Sequence, residues 1–238
     1  MSNLNNAKNQ SAIVLKKRLK FSILPVLYYN LFLGIFILMP VFIMIIAKIH
    51  LDLRQRTIVA LIGTLIAEIA MYMLLIKWVH QSGKSLTDLG WGVNTNVSAI
   101  ILGIFFSIGY ILWTFSNPLI IQNAMEISLF KIFGVLVGIV GAIVEEIVFR
   151  GFVLTELSET KVSIAAQIFI SGLAFALIHI GFNITGVIIT FIMGMVLSVI
   201  YIVGRRSLTP SLISHMLINI LIEPWLLMFI INMYSKIV

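Results

Sequence analysis

Two adjacent carboxylates and an arginine stand inside a long apolar run, Gly141-Ala142-Ile143-Val144-Glu145-Glu146-Ile147-Val148-Phe149-Arg150. Further along, Phe175 precedes His179 by one helical turn and His215 precedes Asn219 by one, again among apolar neighbours. Carboxylates and imidazoles held away from bulk water are side chains that take and return protons during hydrolysis. At about 100° per residue, a helix brings Glu146 and Arg150 onto one face, where they can pair. Glu145 then falls about 140° from Arg150, projects elsewhere and is left un-neutralised by that pair. The spacing therefore predicts one structural glutamate, Glu146, and one available as a general base, Glu145. The same periodicity puts Phe175 with His179, and His215 with Asn219, each pair on a shared face.

The elements that must position these groups are membrane helices. The chain of 238 residues is 61% hydrophobic and only 11% charged, with a mean hydropathy of +1.13. A soluble domain has roughly a quarter of its residues charged, so a water-soluble globular protein is excluded. Apolar runs at 21–47, 57–76, 97–116, 132–155, 164–182 and 184–203 each approach the roughly 20 residues needed to cross a hydrocarbon core. A last run, 208–235, holds Glu223-Pro224 near its middle and reads as one kinked span or two short ones. The expected fold is an all-α polytopic bundle of seven or eight helices, the first an uncleaved anchor bent at Pro25 and Pro40. The net charge of +7 reports topology and calls for no nucleic-acid partner. Lys8, Lys16, Lys17, Arg18 and Lys20 precede the first run, which predicts a cytoplasmic N-terminus. Lys77, Lys84, Lys161, Arg205 and Arg206 then fall on the same side, against Lys48, Arg54, Arg56 and Lys131 outside. With no cysteine, disulfides, thiol nucleophiles and Cys-ligated metals are excluded.

An ionisable group at a helix centre costs about 2.5–3.5 kcal/mol on insertion scales, which makes each one a functional candidate. Outside the three clusters the spans hold Glu68, expected to be a hydrogen-bonded carboxyl inside the bundle. The midpoint between Glu145 and His179 is Val162, within the polar stretch Glu159-Thr160-Lys161-Val162-Ser163. An antiparallel hairpin turning there sets the carboxylate and the histidine at one depth. By rise per residue, His215 lies ~10 Å and Asn219 ~15 Å beyond the Arg205-Arg206 turn, and Glu145 ~20 Å from its own. All four can converge within the bilayer, near its middle or on its cytoplasmic side. Gly134, Gly138, Gly141 and Ala142 give the small-xxx-small spacing that lets a neighbouring helix close on this face. Residues 79–96 read as a surface loop or short interfacial helix.

Glu-Glu-x-x-x-Arg at 145–150, Phe-x-x-x-His at 175–179 and His-x-x-x-Asn at 215–219 follow one another on separate membrane helices. Together they resemble the three motifs of the CPBP intramembrane proteases, the group containing type II CAAX prenyl endopeptidases and bacterial bacteriocin-processing or self-immunity proteins. The resemblance covers roughly residues 130–222, the expected catalytic helices of a single 1–238 transmembrane domain with a basic tail at 1–20. It implies a CAAX-protease-like intramembrane endopeptidase of the metalloprotease kind, acting on a membrane-associated or lipidated peptide or protein precursor. Position by position, it implies that Glu145 activates water, that His179 and His215 surround that water or a metal, and that Asn219 helps stabilise the oxyanion. Glu146 and Arg150 would be the supporting pair, with Phe175 beside His179. Two histidines and a glutamate could hold Zn²⁺ with an open water position, although the HExxH spacing is absent, so a metal-free Glu-activated water stays open. The composition fits a multi-pass protein of a bacterial plasma membrane. Two other classes compete: a non-enzymatic immunity or binding scaffold of the same fold, and a proton-coupled transporter, which Glu68 would suit.

Overall fold

The computed structural model describes residues 23–116, 129–160, 162–180 and 184–222. Among these residues there are seven helices and no strand, and the chain is an all-α polytopic membrane protein. They are α1 (Ile23–Met44), α2 (Leu53–Gln81), α3 (Val97–Phe115), α4 (Leu129–Ser158), α5 (Ile164–Leu177), α6 (Ile184–Val203) and α7 (Leu208–Leu221). Each of the first six expected runs holds one helix, and α7 lies in the described part of the seventh. Five are long and apolar enough to cross a membrane, whereas α5 and α7 have 14 residues each. The basic tail at 1–20, Lys161 and the second half of the 208–235 run, on which the choice of seven or eight spans turns, lie outside the described residues.

Local chemistry explains where the helices outrun the apolar signal. α2 starts ahead of its apolar run because Asp52 accepts from Gln55 N at 2.8 Å while Gln55 Oε1 accepts from Asp52 N at 3.0 Å, a reciprocal cap. In α1 the disturbance expected at Pro40 takes the form of a π-helical turn at Gly34–Leu38, immediately before the proline. Pro40 cannot donate to Phe36 O, and that carbonyl faces α2 instead. A Cβ on Gly63 would lie 2.2 Å from it, so only glycine permits the approach of α1 and α2 at that point.

α4 is the central element. α2 packs on α1 and on α4, α7 lies against α3 and α4, and α5 packs chiefly on α6. The connection from α4 to α5 occurs at 159–163, where the midpoint of Glu145 and His179 predicted it, and Ser163 caps α5 by accepting from Ala166 N. Segments that an up-and-down topology assigns to one side do meet at one end of the bundle. Lys84 pairs there with Glu156 and Glu159. Burial alone would lower the Lys84 ammonium, but its bonds to these two carboxylates outweigh that and hold it above the usual lysine value. Arg206 donates to Leu154 O and to Gln167 Oε1, and Leu208 N donates to Gly90 O at 3.0 Å. The 79–96 segment is thus the end of α2 followed by a turn-rich loop. Gly90 adopts φ +93°, and a Cβ there would lie 2.2 Å from Arg206 O, so the loop seats on the α6–α7 turn only through glycine.

Candidate active site

Over Glu146–Val153, α4 leaves the α-helical register and becomes a π-helix. Hydrogen bonds that skip five residues instead of four widen the turn, and such segments concentrate at functional sites. Arg150 then stands one π-turn from Glu145 and somewhat less than a turn from Glu146. The 140° separation expected of a regular helix does not arise, and both carboxylates face the same interior. The expected pair forms: Arg150 Nη1 is 2.9 Å from Glu146 Oε1, with both side chains fully buried. Arg150 Nη2 donates to Gly194 O on α6, and the guanidinium carbon lies 4.5 Å from the centre of the Phe175 ring.

His215, on α7, sits between the two glutamates. Its Nδ1 is 2.9 Å from Glu146 Oε1, and because a carboxylate can only accept, Nδ1 carries the hydrogen. Nε2, the other ring nitrogen, is 3.6 Å from Glu145 Oε2. With Nδ1 as the donor, Nε2 carries the lone pair of the neutral ring and faces Glu145 at a separation that exceeds a direct hydrogen bond. The arrangement therefore sets Glu145 against His215, with His215 held by a fixed ion pair, Glu146 and Arg150.

Phe175 is the hub of the remaining contacts. Its ring centre lies 4.8 Å from that of His179 and 5.7 Å from that of His215, so one aromatic face separates and orients the two imidazoles. His179 is not on the helix itself as expected. α5 ends at Leu177, and His179 lies in the turn beyond, its Nδ1–H donating to Phe175 O at 2.9 Å. That bond leaves Nε2 with the lone pair in the neutral ring. Asn219 Nδ2 donates to Gly138 O at 3.0 Å, which fixes the amide against the small-residue face of α4. Gly134, Gly138, Gly141 and Ala142 are all buried, as their spacing predicted.

Residues 127–221 match the family model Type II CAAX prenyl endopeptidase Rce1-like. The match covers 95 of the 238 residues, 127 to 221, and supports a CPBP intramembrane protease family for that segment. No curated protein and no solved structure matches it. The Rce1-like segment contains α4 to α7 and every motif residue above, and its family is one of CAAX-protease-like peptidases embedded in membranes. Spans α1 to α3 lie outside it.

Among the described residues, no group of three or more His, Cys, Asp or Glu side chains is arranged to hold a metal ion. Both His215 nitrogens face carboxylates, and one His179 nitrogen is committed to a backbone carbonyl. Each imidazole commits Nδ1 to an oxygen acceptor and so keeps Nε2 for a ligand, but Glu145, His179 and His215 are not grouped as a three-ligand site among the described residues. Glu68 is hydrogen-bonded within the bundle as expected, accepting from Tyr29 of α1. Sequence reasoning did not single out Tyr29. A tyrosine in the middle of an apolar span, whose hydroxyl needs a buried partner, was the available signal.

Proposed function

We propose that this chain is an intramembrane endopeptidase that hydrolyses a peptide bond of a membrane-associated or lipidated precursor with a water activated by Glu145. The observation that carries the reading is the juxtaposition of Glu145 Oε2 and His215 Nε2, 3.6 Å apart, with the imidazole held by Glu146. Glu145 takes a proton from water as its oxygen bonds to the peptide carbonyl carbon, and the carbonyl oxygen becomes an oxyanion. Asn219, with one amide hydrogen committed to Gly138, directs its second N–H at that oxyanion, and His179 lines the same pocket. Collapse breaks the C–N bond while the proton that Glu145 took from water passes to the leaving nitrogen, giving a carboxylic acid and an amine. An apolar groove between α2 and α4, lined by Ile69, Tyr72, Val140, Ile143 and Val144, suits a hydrocarbon chain. The catalytic unit is residues 130–222. The cation distribution supports a cytoplasmic N-terminus, and the composition and short loops fit a bacterial plasma membrane. Purified protein in nanodiscs, incubated with a farnesylated CAAX peptide and with secreted-peptide precursors, should yield two fragments by mass spectrometry. Intact peptides throughout would refute the peptidase reading.

Asn219→Ala is expected to lower kcat by about 10²–10³-fold at nearly constant KM, the mark of a contact made in the transition state. Loss of the bond to Gly138 should also cost about 1 kcal/mol of stability. Asn219→Asp should be at least as harmful, since a carboxylate repels an oxyanion; wild-type turnover in Asp would assign Asn219 to packing alone.

Exhaustive chelation is expected to leave turnover unchanged, with zinc far below one per chain by elemental analysis. Activity lost on chelation and restored by Zn²⁺ would instead make His179 and His215 ligands.

A further inference from the structure

The site is incomplete without a span that lies outside the family-matched segment. Tyr29 and Asn30 are neighbours on α1, and each reaches a different wall of the active site. Tyr29, fully buried, donates to Glu68 of α2, which is 2% exposed. The Glu68 carboxyl rests on Gly141: a Cβ there would lie 3.6 Å from Oε1 and 3.9 Å from Cδ. Gly141 is one turn N-terminal of Glu145, and helical side chains lean toward the N-terminus, so the Glu145 carboxyl extends toward this level. Tyr29 accordingly lies within electrostatic reach of Glu145. The Tyr29 ring also stacks on Phe149 at 6.1 Å, and Phe149 meets Phe175 edge-on at 5.7 Å, which completes an aromatic line to both imidazoles.

Asn30 acts on the opposite wall. Its amide donates to Val26 O at 2.9 Å and to Leu177 O at 3.2 Å. Leu177 is the last residue of α5, where carbonyls have no partner within the helix, and His179 follows in the turn. The bond therefore holds the helix end from which His179 departs.

We propose that Tyr29, through Glu68, and Asn30, through the Leu177 carbonyl, are positioning residues that set the separation between the Glu145 helix and the His179 turn. Two adjacent residues on one helix gauge this spacing, so α1 is part of the catalytic apparatus. The proposal rests on the peptidase reading above, and its test distinguishes the two.

Tyr29→Phe, Glu68→Met, Asn30→Ala and Asn30→Gln would be made singly, together with the Tyr29→Phe/Glu68→Met double variant. Turnover of a fluorogenic farnesylated CAAX peptide would be measured per folded molecule, alongside melting curves. Displacing a catalytic wall by about 1 Å costs up to ~10²-fold, so kcat should fall about 10- to 100-fold with KM within about twofold. The double variant should lose no more than the worse single, because both changes break one link. Asn30→Gln, which keeps the donor, should recover much of the loss seen in Asn30→Ala. Because the chain has no cysteine, spin labels at Leu136→Cys and Ile180→Cys, both on exposed positions, report the spacing without any substrate. Their distance distribution should be narrow in the parent and broad in Asn30→Ala and Glu68→Met. Wild-type kcat in the variants, whatever their melting temperature, overturns the proposal and leaves the peptidase reading intact. Should the parent itself fail to cleave, that reading falls, and unchanged label distributions would then overturn the positioning role by themselves.

Discussion

Glu145→Gln is expected to reduce peptide cleavage by about 10²–10⁴-fold, the usual worth of a positioned general base. The amide has the same shape, and its NH₂ can donate to the His215 Nε2 lone pair that now faces Glu145 Oε2 at 3.6 Å. Folding, membrane insertion and thermal stability should therefore change little, so the loss appears in kcat of a normally folded protein. Glu145→Asp keeps the charge but withdraws it by one methylene, and should retain part of the activity. Full turnover in the Gln variant would remove Glu145 from the mechanism, and cleavage progress curves read against a melting curve decide the matter.

Glu146→Gln should fail differently. Glu146 and Arg150 are both fully buried, and Glu146 also receives the Nδ1–H of His215. Removing one partner leaves an uncompensated guanidinium inside the bundle, which costs about 3–5 kcal/mol and approaches the whole stability of many domains. The expected result is a sharp drop in folded yield from the membrane fraction together with loss of activity. Replacing the pair, as Glu146→Gln with Arg150→Met, removes the buried charge altogether and should restore folded protein without cleavage. A Glu146→Gln protein that melts like the parent would mean that the ion pair does not support the bundle.

Local spacing disclosed much of this site. The Glu146–Arg150 pair needed only a four-residue interval, and the turn at 159–163 followed from the midpoint of two chemically distinctive residues. The motif residues, quoted in order, also led to the family later matched at 127–221. What spacing could not disclose was register. A regular helix sends Glu145 away from Arg150, whereas the π-turn at Glu146–Val153 turns both glutamates toward His215. The place of His179 was missed by a few residues because apolar composition continues past Leu177, while the helix does not. Tyr29 and Asn30 were out of reach for a different reason. Their partners, Glu68 and Leu177, lie 39 and 147 residues away, and no local pattern pairs a phenol in one span with a carboxyl in another.

Hydrolysis consumes water, and the shortness of α5 bears on where that water comes from. Fourteen residues rise about 21 Å, well below the roughly 30 Å of a hydrocarbon core. A helix that begins at one interface, as α5 does beside the Lys84 and Arg206 clusters, ends short of the other. Its last carbonyls and the turn carrying His179 then lie at a depth where non-helical backbone persists only if protein covers it or an aqueous cavity wets it. Ile180 is 65% exposed, so protein does not cover the end of that turn. The missing turns of α5 thus leave fewer layers of helix between the far leaflet and the His179 turn than the spans of full length would.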